Sequence, residues 1–177
     1  MKAHPDEISA GASGPGNADQ LAAEMFRMST GTKLTTVPYK GSAAALTDLV
    51  AGRVQMMITT ETVLQPQIDT GKLRMLAYTD VPADKHAAPT LDQYGLKGFE
   101  VFKASGILLG PPNMPAAIVS KLSNAMQRVL EMPDTQSALS AMKQTAAYIP
   151  PNVLRERMVV ASATFADIIK KANIKFE

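Results

Sequence analysis

Strand-like and helix-like segments alternate along residues 8–79, and this alternation limits the fold more than any single residue does. Residues 8–11 close a short strand. Leu21, Met25 and Met28 then recur at helical spacing, with Ala22 and Phe26 beside them, up to a stop at Gly31. Residues 34–39 (LTTVPY) are β-rich and turn at Pro38. Ser42 is placed to cap a short helix over 43–51 that Gly52 ends. Residues 54–60 (VQMMITT) have the pattern of a buried strand, 62–70 read as a helix stopping at Gly71, and 73–79 (LRMLAYT) as a further strand. The order predicts a small parallel α/β sheet with helices on its faces.

After residue 80 the pattern changes. Residues 80–98 are loop-like, with Pro82, Pro89, Gly95 and Gly98 and one helical turn around Leu91. Residues 99–109 (FEVFKASGILL) predict an extended strand crossing between two regions, and Gly110, Pro111, Pro112 and Pro115 then break the chain. Ile118, Leu122, Ala125 and Val129 define an amphipathic helix that Val119, Met126 and Leu130 widen. Pro133 opens a second helix reaching about Met142, and 146–149 read as a short strand. Leu154, Met158, Ala161, Phe165, Ile168 and Ala172 mark a final helix over 153–172. This helix-rich tail lacks the sheet it would cover. The pattern therefore reads as one near-complete α/β lobe followed by part of another.

Composition narrows the function. A chain of 177 residues with 46% hydrophobic content can bury a core. A formal charge of +2, with no long Lys/Arg run, gives no electrostatic footprint for nucleic acid or a membrane surface. There is no Trp, so stacking platforms are scarce, and the eleven Met residues are scattered as core fillers. Without Cys, and with His4 and His86 as the only histidines, thiolate chemistry and a His-rich metal site are excluded, and no cofactor motif is present. No apolar run reaches the ~20 residues that span a bilayer. The opening MKAHPDEIS has no apolar signal-peptide core.

The chemistry concentrates in two glycine loops. In an open α/β sheet, ligands sit at the carboxyl ends of strands against helix N-termini. Residues 8–26 (ISAGASGPGNADQLAAEMF) supply the first such loop, with Ser9, Gly11, Ser13, Gly16 and Asn17 as candidate contacts. Asn17 is a good N-cap and forms a capping-box-like pair with Gln20. Glycine permits close backbone approach, and free N–H groups with the helix dipole suit an anion. A plain capped turn explains the same residues, and Asp19 in the first helical turn competes with an anion. Dinucleotide, P-loop and Gly-x-Ser-x-Gly patterns all fail, at Asp19, Leu73 and Pro15 respectively.

Residues 35–57 (TTVPYKGSAAALTDLVAGRVQMM) have the same strand, loop and helix layout, adding Tyr39, Lys40, Gly41 and Ser42. The plainer readings are a solvated Lys40 and a Tyr39 packed in the core with its hydroxyl outward. Thr59 and Thr60, after the third strand, complete the candidate set.

The run VPYKGSAAALTDLVAGRVQMM, followed by IDTGKLRMLAYT, resembles the extracytoplasmic substrate-binding receptors of tripartite tricarboxylate transporters, the Bug-type receptors. Four further segments resemble the same family: ISAGASGPGNADQLAAEMF, APTLDQYGLKGFEV, GILLGPPNMPAAIVSKLSNAMQRVLEMPDTQSAL and ADIIKKANIK. The resemblance implies a type II periplasmic-binding fold: two α/β lobes, a ligand cleft between them and a crossing hinge, here near residues 103–106. It implies a small carboxylate ligand held by backbone N–H groups and hydroxyls, membrane components of the transporter as partners, and a periplasmic location. Family members are longer and begin with an export signal and the first half of lobe one, so the resemblance implies that this chain holds the second, ligand-binding lobe over 1–103 and, over 104–177, a crossover strand and the helices of the incomplete first lobe. Where they often carry His, Asp and Trp, this chain has Gln20, Thr59 and Ala104.

Two other functions compete. A chain lacking part of a lobe has unpartnered helices over 116–130 and 153–172, so self-pairing into a homodimer with exchanged C-terminal elements is the alternative. A hydrolase using Ser9 or Ser13 with Glu61 or Asp48 as base has no histidine in a comparable loop, and the chain is therefore read as no enzyme.

Overall fold

The computed structural model describes residues 8–80, 88–103, 106–142 and 144–175. His4, His86, Pro82, Ala104 and the inner part of the expected hinge lie outside them. The chain forms two compact units, residues 1–103 with 161–177, and residues 104–160. Sequence reasoning placed all of 104–177 on one side of its boundary, whereas 161–177 group with the first unit. One aromatic contact, Phe102 with Phe165, joins the two segments, and Phe99 extends it toward the core. Phe102 lies 5.3 Å from Phe165 and 6.1 Å from Phe99 between ring centroids, and Ile168 is buried nearby in sequence to Phe165.

The first unit holds a three-stranded parallel sheet. Strand β1 (Ser9–Ala12) is central, flanked by β2 (Thr35–Pro38) and β3 (Met56–Met57), with Ala10 opposite Thr36 on one side and Met56 on the other. Helix α1 (Ala18–Thr30) connects β1 to β2, α2 (Ser42–Val50) connects β2 to β3, and α3 (Glu61–Asp69) follows β3. Neighbouring residues of β1 face opposite ways. Ala10 joins Ala23 of α1 and Leu34 in the buried core, with Ile8, Phe26 and Met56 packed against it. Gly11 faces α2: a Cβ there would lie 3.4 Å from the Ala45 Cβ and 3.3 Å from Val54 Cγ2. The two helices therefore cover opposite faces, and small residues let α2 lie close.

Several expected elements take other forms. Of the strand expected over 54–60, only Met56 and Met57 pair, opposite Ala10 and Gly11. The strand expected over 73–79 is reduced to one bridge between Tyr78 and Thr90, with Leu76 exposed. The crossing strand expected from residue 99 begins instead as a 3-10 turn, Phe99–Phe102, because Gly98 (φ 86°) turns the chain and sends Phe99 into the core. Residues 146–149 form no ladder. The Tyr148 hydroxyl meets Ser123 Oγ at 2.6 Å. The helical turn expected around Leu91 is present, as a second 3-10 turn over Leu91–Tyr94.

The second unit contains helices α4 (Ala116–Glu131) and α5 (Pro133–Ala141) and the first part of α6 (Pro151–Ala172). None of the described residues in 106–160 is buried. Ile118, Leu122, Met126 and Val129 are exposed along one face of α4.

Candidate functional site

The carboxyl ends of β1, β2 and β3 lead directly into three helix N-termini. Parallel strands place these three loops on one edge of the sheet. The first two are stitched together: Tyr39 N–H donates to the Ala12 carbonyl at 2.8 Å, and Gly41 N–H to the Ser13 carbonyl at 2.9 Å.

The β1–α1 loop satisfies itself. Asn17 caps α1, its Oδ1 accepting from Gln20 N–H at 3.1 Å. Gln20 Oε1 reaches back to Gly16 N–H at 2.6 Å, one residue before the cap, completing the expected capping-box-like pair. Ser13 Oγ donates to Asp19 at 2.6 Å and accepts from Asn17 Nδ2. The hydroxyl of Ser13 and the N–H of Gly16 are thus occupied within the loop, and Asp19 holds the position an incoming anion would seek.

The β2–α2 loop is different. Gly41 is the N-cap of α2, with φ 115° and ψ 160°, and no side chain bonds to the helix end. Ser42, expected as the cap, is instead the first helical residue, because this backbone conformation falls to the glycine before it. Ala45 N–H returns to the Gly41 carbonyl at 3.4 Å. The N–H groups of Ser42, Ala43 and Ala44 thus precede the first intrahelical bond. The first turn of α2 carries no acidic residue, whereas α1 has Asp19 and α3 has Glu61. Lys40 is exposed beside this end, and so are Ala43 and Ala44. The N-terminus of α3 also lacks a side-chain cap but has Glu61 in its first turn, so of the three helix ends α2 alone joins uncapped donors to an acid-free first turn.

Tyr39 does not turn its hydroxyl to this edge. It donates to Asp48 Oδ2 at 2.9 Å, and Arg53 Nη1 donates to Asp48 Oδ1 at 2.7 Å. The guanidinium of Arg53, then the phenol of Tyr39, hold the Asp48 carboxyl below its usual range. Desolvation, then Asp48, pushes the Tyr39 phenol up. Thr60 is the N-cap of α3, its hydroxyl accepting from Thr62 Oγ1 at 3.3 Å, and Thr59 is half-buried beside it.

Two predicted contacts lie away from the edge. Ser9 opens β1 at its amino end, and both its N–H and its hydroxyl donate to Gln55 Oε1, at 2.9 and 3.0 Å. Gly11 is buried in mid-strand, where its role is to admit α2. Conversely, the amides of Ala43 and Ala44 and the pair Asp48 and Arg53 were not singled out for these roles. Asp48 stands in the quoted VPYKG run, six residues after Ser42, and that spacing was the available signal. Among the described residues no group of three or more His, Cys, Asp or Glu is arranged to hold a metal ion.

Comparison with known proteins agrees with this architecture. The model of the tripartite tricarboxylate transporter family receptor matches residues 1–174. A UPF0065 protein of a Pseudomonas species is 32% identical over 86% of this chain and 46% of its own length. An adipate-bound protein of R. palustris superposes with a TM-score of 0.74 at 26% identity, over 98% of this chain and 58% of its own. The periplasmic binding protein BugD gives 0.70 at 27% identity, over 99% of this chain and 60% of its own. The chain thus spans about half the length of these relatives, and their shared fold is the periplasmic-binding type expected from the sequence. With a family match along nearly its whole length, the chain belongs to the tripartite tricarboxylate transporter receptor family.

Proposed function

We propose that this chain contributes the ligand-binding α/β lobe of an extracytoplasmic, periplasmic solute-binding receptor, and that its ligand is a small organic carboxylate. The observation that carries the reading is the N-terminus of α2: no side-chain cap, no acid in its first turn, and Lys40 adjacent. A carboxylate there accepts from the amides of Ser42, Ala43 and Ala44 and meets the dipole end of the helix. Gly41 and Ser42 shape the seat. Gly16, Asn17 and Ser13 form a rigid neighbouring rim, and Thr59 and Thr60 border the third loop. In this reading residues 1–103, with 161–177 grouped beside them, form the lobe that carries the site, and 104–160 carry the hinge and elements of the other lobe. Membrane components of a tripartite transporter would read the closed form. Binding of adipate by a structural relative supports the carboxylate class. No step of this reading is catalytic.

The test separates anion binding from folding. An acid at an exposed position in the first turn of α2 suits the helix dipole but repels an anionic ligand. Ala44→Glu is therefore expected to leave the melting temperature unchanged or raised, while calorimetric titration with adipate and shorter dicarboxylates loses its signal. Undiminished binding in Ala44→Glu rejects the α2 seat.

A further inference from the structure

Tyr39, Asp48 and Arg53 make a chain of side-chain bonds that the anion seat itself does not use. We infer that this chain is a positioning strut, which fixes the α2 N-terminus in the orientation that presents its amides to a ligand. The inference rests on the α2 reading above.

The geometry is that of a two-point fastening. At the loop end, the backbone of Tyr39 and Gly41 is pinned to β1 through the Ala12 and Ser13 carbonyls. From there the Tyr39 side chain runs beside the α2 packing face, passing the Gly11 notch, where a Cβ would lie 3.6 Å from its Cε2. Its hydroxyl ends on Asp48, six residues into α2 from Ser42 and so about 9 Å along the axis. Asp48 is tied in turn to the segment entering β3. Its side chain takes Arg53 Nη1, and its carbonyl takes the N–H of Arg53 at 2.9 Å and of Val54 at 3.4 Å. A helix held at its N-cap and again near its last residue cannot pivot about either point. The direction of its free amides is thereby set from the far end.

Global stability alone does not account for this arrangement. The Arg53 side chain is 70% exposed and that of Asp48 23% exposed, and ion pairs so open to water contribute little to folding. The hydroxyl of Tyr39 is also separable from its ring. Tyr39→Phe keeps the surface against Gly11 and deletes only the bond to Asp48.

The experiment is amide hydrogen exchange of the ligand-free protein, read at Gly41, with a titration of adipate on the same variants. The reference amide is Leu91, which donates to the Tyr78 carbonyl at 2.8 Å. Tyr39→Phe and Asp48→Ala are expected to speed Gly41 exchange about two- to tenfold relative to Leu91, the range one hydrogen bond commands, and to weaken adipate binding by a similar factor. Asp48→Asn, which keeps an acceptor for the Tyr39 hydroxyl, is expected to restore most of both. Equal acceleration at Gly41 and Leu91 overturns the proposal, because it marks a loss of overall stability. Faster Gly41 exchange with unchanged affinity overturns it as well. If the unmodified chain binds no carboxylate while Gly41 still responds, the strut is supported and the ligand reading fails.

Discussion

Replacing Gly41 with alanine isolates one physical quantity, backbone strain, at the centre of the proposed seat. Gly41 has φ 115° and ψ 160°, a region open in practice only to glycine. An added Cβ would meet nothing within 4 Å, so crowding does not enter. The cost is conformational, about 1–3 kcal/mol for a side-chain-bearing residue held there. A unit of this size loses about 3–5 °C of melting temperature per kcal/mol, so the expected drop is about 3–15 °C. The chain can escape part of the strain by rotating the loop, but that breaks the Gly41 N–H bond to the Ser13 carbonyl. Gly106→Ala is the control. It makes the same chemical change in open space without a positive φ, and is expected to raise melting by about 1–5 °C, since it restricts the unfolded chain. The assay is thermal unfolding by circular dichroism, with a nitrogen–proton correlation spectrum of each variant to locate the change. Gly41→Ala should perturb residues 39–44 and 13 while leaving the Leu91 turn unmoved. If it melts like Gly106→Ala, the left-handed conformation of Gly41 is not what sets this loop, and the account of the α2 N-terminus falls with it.

Asn17→Ala removes the cap of α1 and its bond to Ser13, and should cost about 1 kcal/mol in denaturant unfolding, with Asn17→Ser recovering most of it; no change would mean that water replaces the cap. The Tyr39–Asp48 pair gives stability a pH signature at both ends of the scale. Asp48 ionises below its usual range in the fold, so its contribution is present above the unfolded carboxylate value of about 4 and is lost as pH falls through the lower folded value. Asp48→Asn should remove that slope from urea unfolding measured between about pH 3 and 6. The Tyr39 phenol ionises above its ordinary value of about 10, so its contribution is present below that value and is lost as pH rises through the raised one. Tyr39→Phe should flatten the alkaline limb, and an unchanged limb would show that the hydroxyl is not held by Asp48.

Local signals carried the elements, and long-range ones did not. The helical spacing of Leu21, Met25 and Met28 and the stop at Gly31 correspond to α1, and Pro133 opens α5 as its fixed φ dictates. Strand formation depends on a partner, which composition does not supply. LRMLAYT has strand-forming residues but pairs only as a single bridge, and FEVFKASGILL is diverted at its first residue because burial of Phe99 outweighs extension. The same distinction governs the site. Sequence identifies which loops hold donors, since glycines, hydroxyls and helix starts are local features. It does not identify which donors are already spent. Ser13 and Gly16 are typical anion contacts by residue type, yet Asp19 and Gln20, each within six residues, occupy them. Tyr39 is a typical ligand-facing aromatic, yet a carboxylate nine residues on turns it away. The α2 end has the least distinctive composition, three alanines after Ser42; like α3 it has no side-chain cap, but unlike α3 it carries no acid in its first turn. A binding edge built on backbone N–H groups is defined by this subtraction. The donors left to a ligand are those that the fold's own side chains fail to reach.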